Sequence, residues 1–444
     1  MKLNYKRTFL VGLAFLSICA FWQLYDNVIP LFLTETFHLN ETLAGAIMAV
    51  DNILALFMLP FFGSLSDRRE TKIGKRMPFI LFGTGCAVIL MNVLPILDNS
   101  YYATPSTFKL VSFVIVLGLL LVAMGIYRSP AVALMPDVTP KPLRSMANAI
   151  INLMGAVGGI IYLGIAAVLY PKAKTAGLPH VNYQILFVCV AAIMFIAVAL
   201  LFIFVKEPQL VEENRRLEEK HPEWNLAEDD GSGNDALPAD VKRSLAFLLA
   251  SIALWFIGYN AVTTWFTRYV QVVMGEGLGG ASTCLLVATA GAIISYIPIG
   301  NIASRIGRRK TIMGGILLLT CMFFLGFVLT SIFTSINAIM YVSFALVGLA
   351  WAAINVNSLP MVVEMCKGSD IGKFTGYYYT ASMAAQIVTP ILAGTLMRLI
   401  SYKVLFIYAS LFVLLSFLTM TQVRHGDQKV AGKKGLAAYE DMGD

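Results

Sequence analysis

Apolar residues run in twelve stretches along the chain, each about a membrane thickness long and separated by short polar segments. They fall at 8–34, 43–65, 78–97, 109–136, 147–170, 183–205, 244–267, 280–303, 311–333, 337–363, 374–398 and 402–423. Backbone in lipid must satisfy its own hydrogen bonds, so each stretch is predicted to be a helix that spans a bilayer. The first one resembles a secretory leader, with a basic start and an apolar run from Phe9 to Phe21. That run continues past Trp22 to Leu33 with no small-x-small cleavage site, so it is predicted to be the first span.

Composition agrees with the pattern. Of the 444 residues, 58% are hydrophobic and 13% charged, against about 25% charged in soluble domains. A net charge of +7 raises the question of nucleic acid, but the basic residues are scattered through short loops, where they set membrane topology instead. With the N-terminus cytoplasmic, 26 of the 33 Lys and Arg fall on the inner side and six on the outer. Both termini are therefore expected in the cytoplasm. Six cysteines show no CxxC or metal spacing, and His38, His180, His221 and His425 all lie in loops or the tail. No metal, no cofactor and no nucleic-acid partner is expected.

Residues 206–243 form the longest polar stretch and separate six spans from six. The domain reading is an N-terminal six-helix bundle (1–205), a cytoplasmic linker (206–243) with an amphipathic helix near 209–220, a C-terminal six-helix bundle (244–423) and a disordered cytoplasmic tail (424–444). The halves echo each other. Gly63-Ser-Leu-Ser-Asp67-Arg68-Arg69 follows the second span, and Gly300-Asn-Ile-Ala-Ser304-Arg305-Ile-Gly307-Arg308 follows the eighth. Repeated punctuation of this kind suggests two related bundles with a site between them.

Three charges lie inside apolar runs: Asp26, Asp51 and Arg128. A charge at membrane depth costs roughly 3 kcal/mol, so each is a candidate functional residue. They could also form a fixed ion pair that locks helices, or reach for the interface. Counted along ideal helices, Asp51 sits ~12 Å and Arg128 ~27 Å from the outer ends of their spans. In the second half, Trp351 and Asn355 share one helix face, and Asn260 and Tyr377 lie in the seventh and eleventh spans. Aromatic faces beside amides suit a sugar, although Trp and Tyr also mark membrane interfaces. Glu364 ends the tenth span and reads as an interfacial charge.

Gly63-x-Leu-x-Asp67-Arg68, followed by a basic loop with Gly74 and Arg76, resembles the signature after the second helix of major facilitator transporters. That resemblance implies an all-α membrane protein of the major facilitator fold, with Gly63, Asp67, Arg68, Gly74 and Arg76 as its conformational motif. A narrower match is Gly74-Lys75-Arg76-Met77-Pro78-Phe79-Ile80-Leu81, which looks like the same loop in glycoside–pentoside–hexuronide:cation symporters and in sucrose/proton symporters. Val50-Asp51 matches a cation-binding Val-Asp of the melibiose type, and Ala55 stands where that type has a second Asp. Asp26 sits where the family has a sugar-binding Asp. Arg128-Ser-Pro130 aligns with a family Asp-Ile-Pro, so Arg128 replaces an acid, and Val132 falls at a sugar-stacking Trp.

A sodium site tolerates no nearby cation, so Arg128 argues for protons. A lone carboxylate in a low-dielectric cavity holds its proton, and a nearby guanidinium loosens it. The sequence thus points to a secondary transporter for a sugar or glycoside, coupled to protons. Asp51 or Asp26 would carry the proton, and Arg128 would pair with carboxylate or substrate. The alternative is an exporter or uniporter of another small organic solute. Nothing resembles a catalytic dyad, so no enzyme activity is expected. The chain is expected to act as a monomer in the lipid bilayer of a plasma membrane, such as a bacterial inner membrane.

Overall fold

The computed structural model describes residues 3–221, 238–365 and 371–427. Among them the fold is entirely helical, and twelve helices are long and apolar enough to cross a membrane. In chain order they are α1 (Tyr5–Leu31), α2 (Glu41–Asp67), α3 (Met77–Ala103), α4 (Thr107–Asp137), α5 (Arg144–Leu169) and α6 (Gln184–Phe204), then the linker helix α7 (Glu207–Lys220). The second series is α8 (Ala239–Met274), α9 (Leu278–Ile306), α10 (Arg308–Ile332), α11 (Ala338–Val363), α12 (Ile371–Leu399) and α13 (Val404–Thr421).

Local signals start these helices. Asn4, Asn40 and Asn337 each accept a backbone N–H from the first turn of α1, α2 and α11, as N-caps do. Several helices carry an internal proline, such as Pro60 in α2 and Pro360 in α11, which neighbouring helices in a membrane tolerate. Helices run past the apolar stretches that predict them. α8 begins at Ala239, inside the stretch read as linker, because a helix needs no apolar side chains once its end is in water.

The chain divides into two compact units. The first runs to His221 and includes Gly277–Ser282; the second is the remainder. In the first unit α1 packs on α5 and α6, α3 on α4 and α6, and α2 on α4. In the second, α8 packs on α12 and α13, and α10 on α11 and α13. Close approach depends on glycine. A Cβ at Gly158 would run into the carbonyl of Leu16 on α1, and one at Gly348 into that of Ala288 on α9. Small residues are what let helix backbones meet in a membrane.

Residues 222–237 of the linker and 428–444 of the tail lie outside the described residues. Arg424, His425 and Asp427, read from sequence as part of a disordered tail, are instead tied to the second unit. The backbone N–H of Arg424 donates to Ser244 Oγ at 3.2 Å, and Asp427 accepts from the backbone N–H of Arg309 at 3.1 Å.

Candidate functional site

Within the first unit, a small pocket is lined by Trp22 of α1, Asp51, Leu54, Ala55 and Met58 of α2, and Met124, Gly125 and Arg128 of α4. The guanidinium carbon of Arg128 lies 5.8 Å from the Trp22 ring centroid, a cation–π distance. Asp51 feels the charge of Arg128. Asp51 Oδ1 also accepts two bonds from Asn52, from the backbone N–H at 2.6 Å and from Nδ2 at 2.8 Å. Asp26 stands one helical turn beyond Trp22 and is close enough to Asp51 for the two carboxylates to interact.

Sequence depth alone separates Asp51 from Arg128; the register of α2 and α4 joins them. Ser129 Oγ donates to Leu59 O at 2.7 Å, which sets Arg128 beside the middle of α2. Helical side chains lean toward the helix N-terminus, and both helices start on the same side, so Arg128 reaches up toward Asp51. Ala55 leaves the intervening turn open. Trp22 is a participant that sequence reasoning missed. Its Nε1–H is buried with no acceptor among the described residues, and its only sequence signal was its spacing of four from Asp26.

The conformational-motif residues assemble at the other end of α2. Arg76, 4% exposed, donates from Nε to Asp137 Oδ2 at 2.8 Å, from Nη1 to Gly63 O and Ser66 Oγ, and from Nη2 to Asp67. Lys75 Nζ adds a contact of 3.3 Å to Asp137. Asp67 thus pairs across the loop with Arg76 and not with its neighbours; among the described residues Arg68 forms no ion pair. A further residue, unnoticed in the sequence, completes this corner. The Glu207 carboxylate, from the first turn of α7, accepts the backbone N–H groups of Lys75 at 2.7 Å, Arg76 at 2.9 Å and Met77 at 2.8 Å. It caps α3 from across the chain. Burial pushes the Glu207 carboxyl up, and these three bonds pull the other way. Gly74 at φ +111° leaves the room; a Cβ there would strike the Glu207 carboxylate.

In the second unit Trp351 is buried, with Tyr259 stacked on it at 3.7 Å and 5°, and Phe256 edge-on at 5.3 Å. Asn355 Nδ2 donates to Tyr296 OH at 3.4 Å. Asn260 Nδ2 is buried without an acceptor among the described residues. Tyr378, not Tyr377, joins this cluster, 6.5 Å from Phe256 and 3.2 Å from Ser358 Oγ. Tyr377 is 39% exposed and packs on Phe374. Glu364 forms a half-buried ion pair with Arg308.

The sequence profile of the Major Facilitator Superfamily matches residues 11–295 and 278–438. The chain belongs to the Major Facilitator Superfamily. Its family and fold are those of membrane transporters, and it is a multi-pass membrane protein. Among superfamily relatives, sucrose transport protein SUC3 of Arabidopsis thaliana is 29% identical over 152 residues, 32% of this chain and 25% of that protein. Sucrose transport protein SUT3 of Oryza sativa subsp. indica is 27% identical over 154 residues, 32% of this chain and 30% of that protein. The matches thus span less than a third of either relative. Solved superfamily structures share the fold. The nucleoside transporter NupG aligns over 95% of this chain and 100% of its own with a TM-score of 0.62 at 15% identity. A POT family transporter in complex with 5-aminolevulinic acid aligns over 94% and 96% with a TM-score of 0.68 at 11% identity.

Proposed function

We propose that this protein is a proton-coupled symporter that carries a sugar or glycoside across a plasma membrane by alternating access. The observation that carries the reading is the shared cavity of Asp51, Arg128 and Trp22. A carboxylate with a guanidinium in reach can exchange that partner for a proton, and the freed guanidinium can then take substrate hydroxyls in a rigid fork. Trp22 offers an aromatic wall and an unused N–H in the same place. Asp26 is the second candidate carrier. In the second unit, Asn260, Asn355 and Trp351 supply amide donors and an aromatic edge, and Tyr377 lies on the exposed side of its helix. The likeness to sucrose transport proteins supports the substrate class, and the positive charge of Arg128 beside Asp51 supports protons over sodium.

A second reading, an exporter or uniporter of another small organic solute, draws support from Tyr259. It covers one face of Trp351, so a sugar stacking there must use the other face or displace it. Purified protein in liposomes decides between them. An imposed pH gradient is expected to drive accumulation of a labelled mono- or disaccharide, abolished by an uncoupler and by Asp51→Asn. Equilibration without accumulation would favour the second reading, and gradient-driven uptake in Asp51→Asn would remove Asp51 as the carrier.

A further inference from the structure

The loop end of α2 and the first turns of α3 border a shallow, open surface cleft lined by Leu65, Arg69, Thr71, Pro78, Phe79 and Phe82. Its lining changes character along the helix axes. Arg69 stands at the loop end, just past the last residue of α2, and Phe82 lies further into the span of α3 and is 63% exposed. Exposed Phe61 and Phe57 continue an apolar track one and two turns back along α2 from Leu65. Basic Arg69 at one end and exposed Phe82, Phe61 and Phe57 at the other place the cleft where polar loop gives way to apolar helix surface, the level of phospholipid headgroups.

The charge there is uncommitted. Lys75 and Arg76 are consumed by Asp67 and Asp137, but among the described residues Arg68, Arg69 and Lys72 form no ion pair, with Glu70 the one acid among them. The Thr71 hydroxyl is spent on the turn, donating to Gly74 O at 2.5 Å. The α3 N-terminus is already filled by Glu207. The guanidinium of Arg69 is therefore the group left to meet a ligand, and a guanidinium matches the paired oxygens of a phosphate.

We infer that this cleft holds an acidic phospholipid, with its phosphate on Arg69 and an acyl chain along Phe82. Charge complementarity selects the headgroup, and the aromatic wall selects an occupant with a hydrocarbon tail over a soluble phosphate. The site is separate from the Asp51–Arg128 cavity, so it does not depend on the proposed transport reaction.

The test is native mass spectrometry of the full chain released from nanodiscs of equal parts phosphatidylglycerol and phosphatidylcholine with identical acyl chains. Wild type is expected to retain an excess of phosphatidylglycerol. Arg69→Gln should reduce that excess roughly fivefold, the equivalent of one basic contact at a lipid surface. Phe82→Ala should reduce retention as well. Lys310→Gln, at an exposed position in the first turn of α10 in the second unit, should leave it unchanged. Melting temperatures matching wild type show that the variants are folded. Equal retention of the two lipids by wild type, or an undiminished excess in Arg69→Gln, would overturn the inference. Displacement of the lipid by excess inorganic phosphate would overturn it in favour of a soluble anion.

Discussion

Arg128 shows what one residue can reveal and what it cannot. Its presence in an apolar run, like that of Asp51, was plain in the sequence because charge is rare there. That the two line one pocket was not, because spacing along separate helices fixes depth only for straight, upright helices of known ends. The Ser129–Leu59 bond sets the register, and no pattern within either helix encodes it. Trp22 escaped notice for a different reason: a tryptophan in an apolar stretch looks like any other packed side chain until the cation above it is located. The pairing has a measurable consequence. Removing one of two opposite charges that line one pocket leaves the other uncompensated, at a cost below the about 3–5 kcal/mol of a fully buried pair because both are half-buried, whereas removing both is close to neutral. Arg128→Ala is therefore expected to melt well below wild type in detergent, and Arg128→Ala with Asp51→Asn to recover most of the loss. If the double variant is no more stable than Arg128→Ala alone, the two groups are not energetically paired.

Among elements, the most specific feature is a carboxylate cap that occurs twice. Glu207, just after α6, caps α3; Asp427, just after α13, accepts from the first turn of α10. Each cap faces a glycine at positive φ, Gly74 at +111° and Gly307 at +96°. The ion pair that joins the two helices recurs as well, Arg76 with Asp137 and Arg308 with Glu364. The halves' echo was legible as glycines and arginines after the second and eighth spans. The caps were not, because each carboxylate lies more than a hundred residues from the turn it closes. Glu207→Ala is expected to lower stability by about 1–2 kcal/mol, as loss of a helix cap does, and Gly74→Ala to do at least as much through its backbone strain and the blocked carboxylate. An unshifted melting curve for Glu207→Ala would show the cap to be dispensable. At the opposite end of α3, the loop before α6 is held by His180. Its Nε2 meets Asn99 Oδ1 at 2.8 Å and Asp98 Oδ2 at 3.3 Å, with the ring stacked on Tyr102 at 4.4 Å. Burial holds the His180 imidazole below its usual 6.5. The unfolded chain therefore takes up this proton first as pH falls, so stability present above about pH 6.5 is lost below it. Lowering pH from 7 to 5 is therefore expected to change melting temperature less favourably in wild type than in His180→Asn; parallel slopes for the two proteins would exclude His180 as a contributor.

At the scale of the whole molecule, twelve spans put the two ends of the transmembrane series on one side of the membrane, whichever side that is. Helix count was readable because bilayer thickness imposes one length on every span. Charge gives the expected side, since loops rich in Lys and Arg tend to stay in the cytoplasm. The segment after α2 carries Arg68, Arg69, Lys72, Lys75 and Arg76, and the segment after α5 only Lys172 and Lys174. Summed over all segments the inner side carries 26 Lys and Arg and the outer side six, so no single loop decides it. α7 ties several of these ends to one another, whichever side they face. This helix binds the ends of three spans on one face: Glu213 to Arg7 at 3.3 Å, Glu218 to Arg144 at 3.4 Å, and Asn214 Nδ2 to Asp137 O at 3.2 Å. The N-terminus of α1, the end of α4 and the start of α5 must therefore share one side with the basic loop after α2. On native cells, a membrane-impermeant thiol reagent is expected to label Lys174→Cys readily and to leave Lys72→Cys untouched until the membrane is opened. The native cysteines give the background to subtract, and reversed labelling would invert the topology of all twelve spans at once, because no loop can change sides without the rest.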